Sequence, residues 1–207
     1  MTGTLVHKIA SLPLADSVPI WGVPTGPRDF AWRATEPATL IWADALDGGN
    51  WKTQASARDR LMMLKAPFEA EPQEILRLED RFDGFLWGEK DGLALFTEYN
   101  PIKHWQRTYA VSFNDLKAKT RLIWDMSTDE RYHHPGYPVL RALPNGFDVM
   151  QQEGNAIYLN GPGASPDGER PFLDKLDITT LRTERLFRSE KTAYESFADW
   201  YDMPAGK

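Results

Sequence analysis

The chain has no cysteine, so disulfides, thiolate metal ligands and cysteine nucleophiles are excluded, while the compartment stays open because disulfide-free proteins occur on both sides of a membrane. It has no apolar run of the roughly 18 residues that a membrane-spanning helix needs. Its start, MTGTLVHKIASL, lacks the basic and long apolar regions of a secretory leader. We therefore expect no export or membrane address and assign no localisation. Basic residues are also short: 24 Lys and Arg face 30 Asp and Glu, for a formal net charge of -6. A phosphate backbone calls for clustered Lys and Arg, so nucleic acid is set aside as a partner. Histidine is scarce, with four in 207 residues.

Aromatic and apolar residues are abundant. Forty-two per cent of the chain is hydrophobic and eight residues are Trp, enough for a globular core with aromatic-rich strands. The organising stretch is Gly26 to Gly49, GPRDFAWRATEPATLIWADALDGG. FAWR and ATLIWAD read as strands, Thr35-Glu36-Pro37 as the turn between them, and Asp47-Gly48-Gly49 as the stop. The pattern returns as FDGFLWGEKDGLALFTEYN, residues 82 to 100, with Phe85, Trp87 and Leu95 at the mutual offsets of Phe30, Trp32 and Leu40. DRLMMLKAPF and EILRLED complete a first group of four strands; HWQRTYAVSF and TRLIWDMS complete a second. A third, more divergent group takes PVLRALP, then FDVMQQ or NAIYLNG, then PFLDKLDI and TERLFRS, with a Gly/Pro/Ser/Asp loop at 161–168. Ahead of them, Leu5 to Ile9 reads as a strand followed by a Pro-punctuated arm. In AYESFADWYD the aromatics at 194, 197, 200 and 201 have a helix-like spacing that equally suits the start of another unit.

Repeated groups of four short antiparallel strands are the signature of β-propeller blades, with a β-sandwich as the alternative. The expected fold is all-β: a partial propeller of about three four-stranded blades, at roughly 27–80, 81–127 and 137–190 of a single segment 1–207. A ring takes roughly four to eight blades. The chain is therefore expected to be a fragment of a longer protein or to self-associate through open blade edges.

Gly26-Pro27-Arg28, Phe30, Trp32-Arg33, Pro37-Ala38-Thr39-Leu40, Trp42, Ala45, Asp47-Gly48-Gly49, Arg58-Asp59 and Ala66-Pro67-Phe68 resemble the propeller region of the prolyl oligopeptidase family of serine peptidases. The nearest branch is the glutamyl endopeptidases and dipeptidyl aminopeptidase-like proteins, and the resemblance runs from about Leu12 to about Tyr201. It implies a propeller that caps a separate α/β-hydrolase domain carrying the Ser, Asp and His of the triad. That domain is the implied partner, and peptides are the implied substrates of the whole enzyme. Nothing in this chain resembles the catalytic domain.

The residues themselves supply no catalytic, cofactor or metal assignment. A G-x-S-x-G elbow exposes a serine and offers backbone N–H groups to an oxyanion, but Gly163-Ala164-Ser165-Pro166-Asp167 lacks the second glycine and Pro166 removes an N–H. Ser165 reads as a loop serine. His133 and His134 are neighbours that point to opposite faces if extended, and read as a turn before Pro135. His7 and His104 have no partner motif. Asp44, Asp47 and the glycines after them lack the calcium-loop register and read as turn residues. Phe30, Trp32, Trp42, Phe85, Trp87 and Phe96 read as packing between blades rather than a stacking surface. Arg28 and Arg33 have the fork geometry that binds carboxylates, but an Arg paired with a nearby Asp or Glu between blades is the favoured reading and they are not assigned as sites. Two functions follow: the non-catalytic segment of a serine peptidase, gating peptide substrates, or a stand-alone binding module without hydrolase activity.

Overall fold

The computed structural model describes residues 5, 7–12, 14–90 and 92–200. Every regular element among them is a β-strand. Two compact units are present, one of residues 1–128 with 142–149 and the other of 129–141 with 150–207.

In the first unit β1 (Arg28–Trp32), β2 (Thr39–Ala45), β3 (Asp59–Lys65) and β4 (Gln73–Leu78) form one four-stranded antiparallel meander. The next strands, β5 (Arg81–Trp87), β6 (Leu93–Asn100), β7 (Trp105–Ser112) and β8 (Arg121–Ser127), form a second with the same order. Alternation along β2 and β3 makes the first sheet apolar on both faces. Ile41, Ala43, Leu61 and Met63 join Trp87, Ala94, Phe96 and Val111 of the second sheet in one buried core. Leu40, Trp42, Met62 and Leu64 form a separate cluster on the other face, with Ile9 and Phe68 against it. Successive four-stranded meanders stacked face to face are the blade arrangement of a propeller.

The core shows one departure from the sequence pattern. Trp87 is 8% exposed but Trp32 is 46% exposed, and Phe30 is 43% exposed. Cross-strand register is the reason. Trp32 lies opposite Leu40, whereas Trp87 lies opposite Ala94 rather than Leu95. A slip of one residue sends a side chain to the other face. Trp32 thus sits on the Leu40 face, 6.1 Å from the Phe68 ring, with Phe30 5.8 Å from Trp42. Trp87 instead enters the shared core, 5.0 Å from Phe85 and from Phe113.

The expected strand at Leu5–Ile9 is not formed by its described residues, and Val6 lies outside them. Among the described residues of the stretch, Leu5 is 78% exposed and Ile9 packs on the sheet. The arm is pinned further on, where the Val23 N–H donates to Gly49 O at 3.0 Å. Gly49 has φ 74°, and a Cβ there would stand 2.0 Å from Val23 O, so only glycine permits this approach.

Further along, β9 (Tyr137–Pro138) and β10 (Leu140–Ala142) divide the predicted PVLRALP strand at Val139, and β10 pairs with β11 (Asp148–Met150) as a hairpin. In the second unit β12 (Gln152–Glu153) and β13 (Ala156–Gly161) come next. The loop at 161–168 contributes to a small hairpin of β14 (Ala164–Ser165) and β15 (Gly168–Glu169), and β16 (Phe172–Asp177) and β17 (Thr183–Arg188) follow. The sheet runs β12-β13-β16-β17, with β9 also on β13. Its cluster of Val139, Tyr158 and Leu173 receives Phe197. The segment at 194–200 is not helical, and Trp200 meets Tyr158 edge-on at 4.8 Å. Tyr201 and Asp202 lie outside the described residues.

Candidate functional site

Two places in the first unit gather polar chemistry. The first is a buried ion network where β1, β3 and β5 begin. Asp59 is fully buried and Asp47 is 5% exposed, a cost that only paired cations offset. Arg81 donates through Nη2 to both Asp47 oxygens at 2.6 and 2.7 Å and through Nη1 to Asp59 at 2.8 Å. Asp59 also accepts from Arg28 and from the Phe82 N–H. Arg58 donates to Asp47 at 2.7 Å and lies 4.0 Å over the Trp51 ring. Burial pushes the Asp47 pKa up, but the Arg81 and Arg58 hydrogen bonds outweigh it and hold the carboxyl below its usual range. These charges join the start of the second sheet to the first and neutralise one another, with Arg28 Nη1 and Arg81 Nε left buried without a hydrogen-bond partner, so the network is structural.

The second sheet has an acid-rich counterpart. Glu98, 2% exposed, accepts from the Asp80 N–H at 3.1 Å and lies 3.0 Å from Arg107. Burial first, then Asp80 and Glu79, raise its pKa against the pull of that N–H and Arg107.

The second place is a cavity of about 870 Å³, within the usual size of ligand sites. It lies where the β1–β2 turn, the β5–β6 turn and the β10–β11 turn come together. Trp32, Arg33 and Pro37 contribute from the first turn, Glu89 from the second, and Leu143, Pro144, Asn145 and Phe147 from the third. The Asn145 side chain fixes this junction by donating to Ala34 O at 3.0 Å and accepting from the Phe147 N–H at 3.2 Å. Arg33 is pinned rather than presented. It pairs with Glu36, donates to Asn114 Oδ1 at 2.9 Å and lies 5.5 Å over Phe113.

The residues weighed from the sequence fall in separate places. Arg28 belongs to the ion network and Arg33 to the cavity wall. Ser165 lies on β14 and donates its proton to Gly168 O at 2.7 Å. His133 is 3.4 Å from Glu130 and 87% exposed. His134 Nδ1 accepts from the Gly136 N–H at 3.0 Å, and burial, partly opposed by Glu130, lowers its pKa. The two imidazoles therefore have different partners. Asp44 pairs with Arg60, and Asp47 caps its turn by accepting from the Gly49 N–H at 2.9 Å. His7 is exposed and His104 ends the turn before β7 with φ 50°. No group of three or more His, Asp or Glu that would hold a metal occurs among the described residues. Sequence reasoning missed Arg58, Asp59 and Arg81 as a network, although Arg58-Asp59 was visible as a motif. It also missed the Leu143–Phe147 wall.

The fold thus defines an all-β chain whose first unit stacks two four-stranded blades. No protein-family model matches it. It is 37% identical over 201 residues to a probable chloroplastic glutamyl endopeptidase of Oryza sativa subsp. japonica, and 37% identical over 202 residues to one of Arabidopsis thaliana. Each match takes in 93% of this chain and 21% of the relative. The resemblance to the glutamyl endopeptidase branch of the prolyl oligopeptidase family therefore holds, and the chain spans about a fifth of the length of the curated relatives it matches. Among solved structures, an oligogalacturonate lyase in complex with manganese aligns at 12% identity and TM-score 0.41, over 79% of this chain and 36% of that one. TolB from Acinetobacter baumannii aligns at 14% identity and TM-score 0.35, over 64% and 28%. A puromycin-hydrolyzing peptidase of Mycobacterium tuberculosis aligns at 14% identity and TM-score 0.29, over 80% and 29%.

Proposed function

We propose that the chain is the non-catalytic propeller segment of a glutamyl-endopeptidase-like serine peptidase, which caps the active site of a separate α/β-hydrolase domain and admits peptides while excluding folded proteins. The observation that carries the reading is the 37% identity to about a fifth of two larger relatives named as endopeptidases. Stacked blades suit a cap because a packed core and a buried ion network resist deformation, so admission depends on the width of the substrate. Acyl transfer needs a nucleophile, a base within hydrogen-bond reach and oxyanion donors together. Ser165 instead donates its hydroxyl hydrogen bond to a backbone carbonyl of its own hairpin. The test is to assay the purified 207-residue chain on glutamyl and prolyl chromogenic peptides. No turnover is expected. Hydrolysis that follows the chain through purification and disappears in Ser165→Ala would overturn the reading.

A further inference from the structure

We propose that the cavity where the β1–β2, β5–β6 and β10–β11 turns come together is a docking site for a short, uncharged, apolar segment of peptide, an inference that rests on the reading of the chain as part of a peptidase. Its walls give the chemistry. Trp32 and Phe147, 46% and 38% exposed, present aromatic surface, and Pro37, Leu143 and Pro144 add rigid apolar contacts. Such a lining takes up apolar groups by removing their surface from water.

The charged groups of the wall argue against a charged occupant, because each is already engaged. Arg33 is neutralised by Glu36 and bonded to Asn114, and Lys65 holds the other Glu36 oxygen at 2.7 Å. The one Arg33 donor without a partner, Nε, is itself buried from contact. The Asn145 amide bonds to Ala34 O and the Phe147 N–H, and Glu89 has a partner of its own. An acidic side chain entering here would lose its hydration without gaining a free cation.

The test uses the full 207-residue chain in nitrogen-15 NMR. The Trp32 indole N–H signal, identified by its loss in Trp32→Phe, is followed during titration with acetyl-Leu-Phe-amide and, separately, acetyl-Glu-Glu-amide. The neutral peptide is expected to give a saturable shift and the acidic one none. Phe147→Ala should weaken binding at least fivefold with the thermal midpoint unchanged; if that variant does not fold, Pro144→Ala is read the same way. Tighter binding of the acidic peptide, no saturable shift, or undiminished binding in the wall variant would overturn the proposal. Failure here with size selection intact in a chimeric peptidase removes this inference alone. Binding here without size selection there removes the parent reading and leaves the site.

Discussion

The first and second sheets of the larger unit share strand order, antiparallel pairing and a bulge in the first strand, yet they use the same aromatic motif in opposite ways. Phe-x-Trp in β1 lies on the half-open face with Trp42, and Phe-x-Trp in β5 builds the shared core. A similar motif offset therefore does not guarantee a similar environment, because the pairing register decides which face a residue joins. The charges follow the same division. Asp47 of the first sheet sits between two arginines, whereas Glu98 of the second shares Arg107 with Asp80 and Glu79.

The largest expected effect is from Asp59→Ala, which strands Arg28, Arg81 and the Phe82 N–H in a buried site. Breaking a buried pair in this way costs about 3–5 kcal/mol, read as a loss of denaturant midpoint; a loss below about 1 kcal/mol would show that the network does not join the sheets. Trp87→Ala should cost about 3–5 kcal/mol, as for a buried large aromatic, while Trp32→Ala should cost about 1 kcal/mol or less, since few half-exposed positions are critical. Equal losses in both variants would refute the register account.

The smallest effect separates the acids by pH. With its folded pKa depressed, Asp47 contributes stability that is present above the ordinary carboxylate range and lost as pH falls through the folded value. Glu98 has the opposite sign: with its folded pKa raised, the folded state holds the proton more tightly, so its contribution declines as pH rises from the ordinary value through the raised one. Asp47→Asn should therefore lower the thermal midpoint at pH 7 and converge on the parent in acid. Glu98→Gln should flatten the decline that begins above the ordinary glutamate range. Identical pH profiles for the two variants would show that the sheets do not differ electrostatically.

Strand positions in the first two sheets were legible because alternation of apolar residues and turn chemistry are local. Register was not, since Trp32 and Trp87 keep identical distances to Leu40 and Leu95 while the ladder pairs Trp87 with Ala94. The short strand Leu5–Ile9 was misread because apolar residues alone do not supply a partner ladder. Arg28 and Arg33 stood out from the motif, but their partners Asp59 and Asn114 lie 31 and 81 residues away, and Asn145 meets Ala34 across 111. Topology alone brings such groups together.

The proposed gating role is tested most directly by exchange. The segment of the rice glutamyl endopeptidase that aligns with this chain is replaced by it, and hydrolysis of a short glutamyl peptide is compared with that of a folded protein bearing the same sequence in a surface loop. A cap built from these blades predicts that the chimera cleaves the short peptide in preference to the folded protein, and that Asp59→Ala within it erodes that preference by admitting the folded protein. A chimera that folds, cleaves both at the same relative rate and ignores Asp59→Ala would contradict the account.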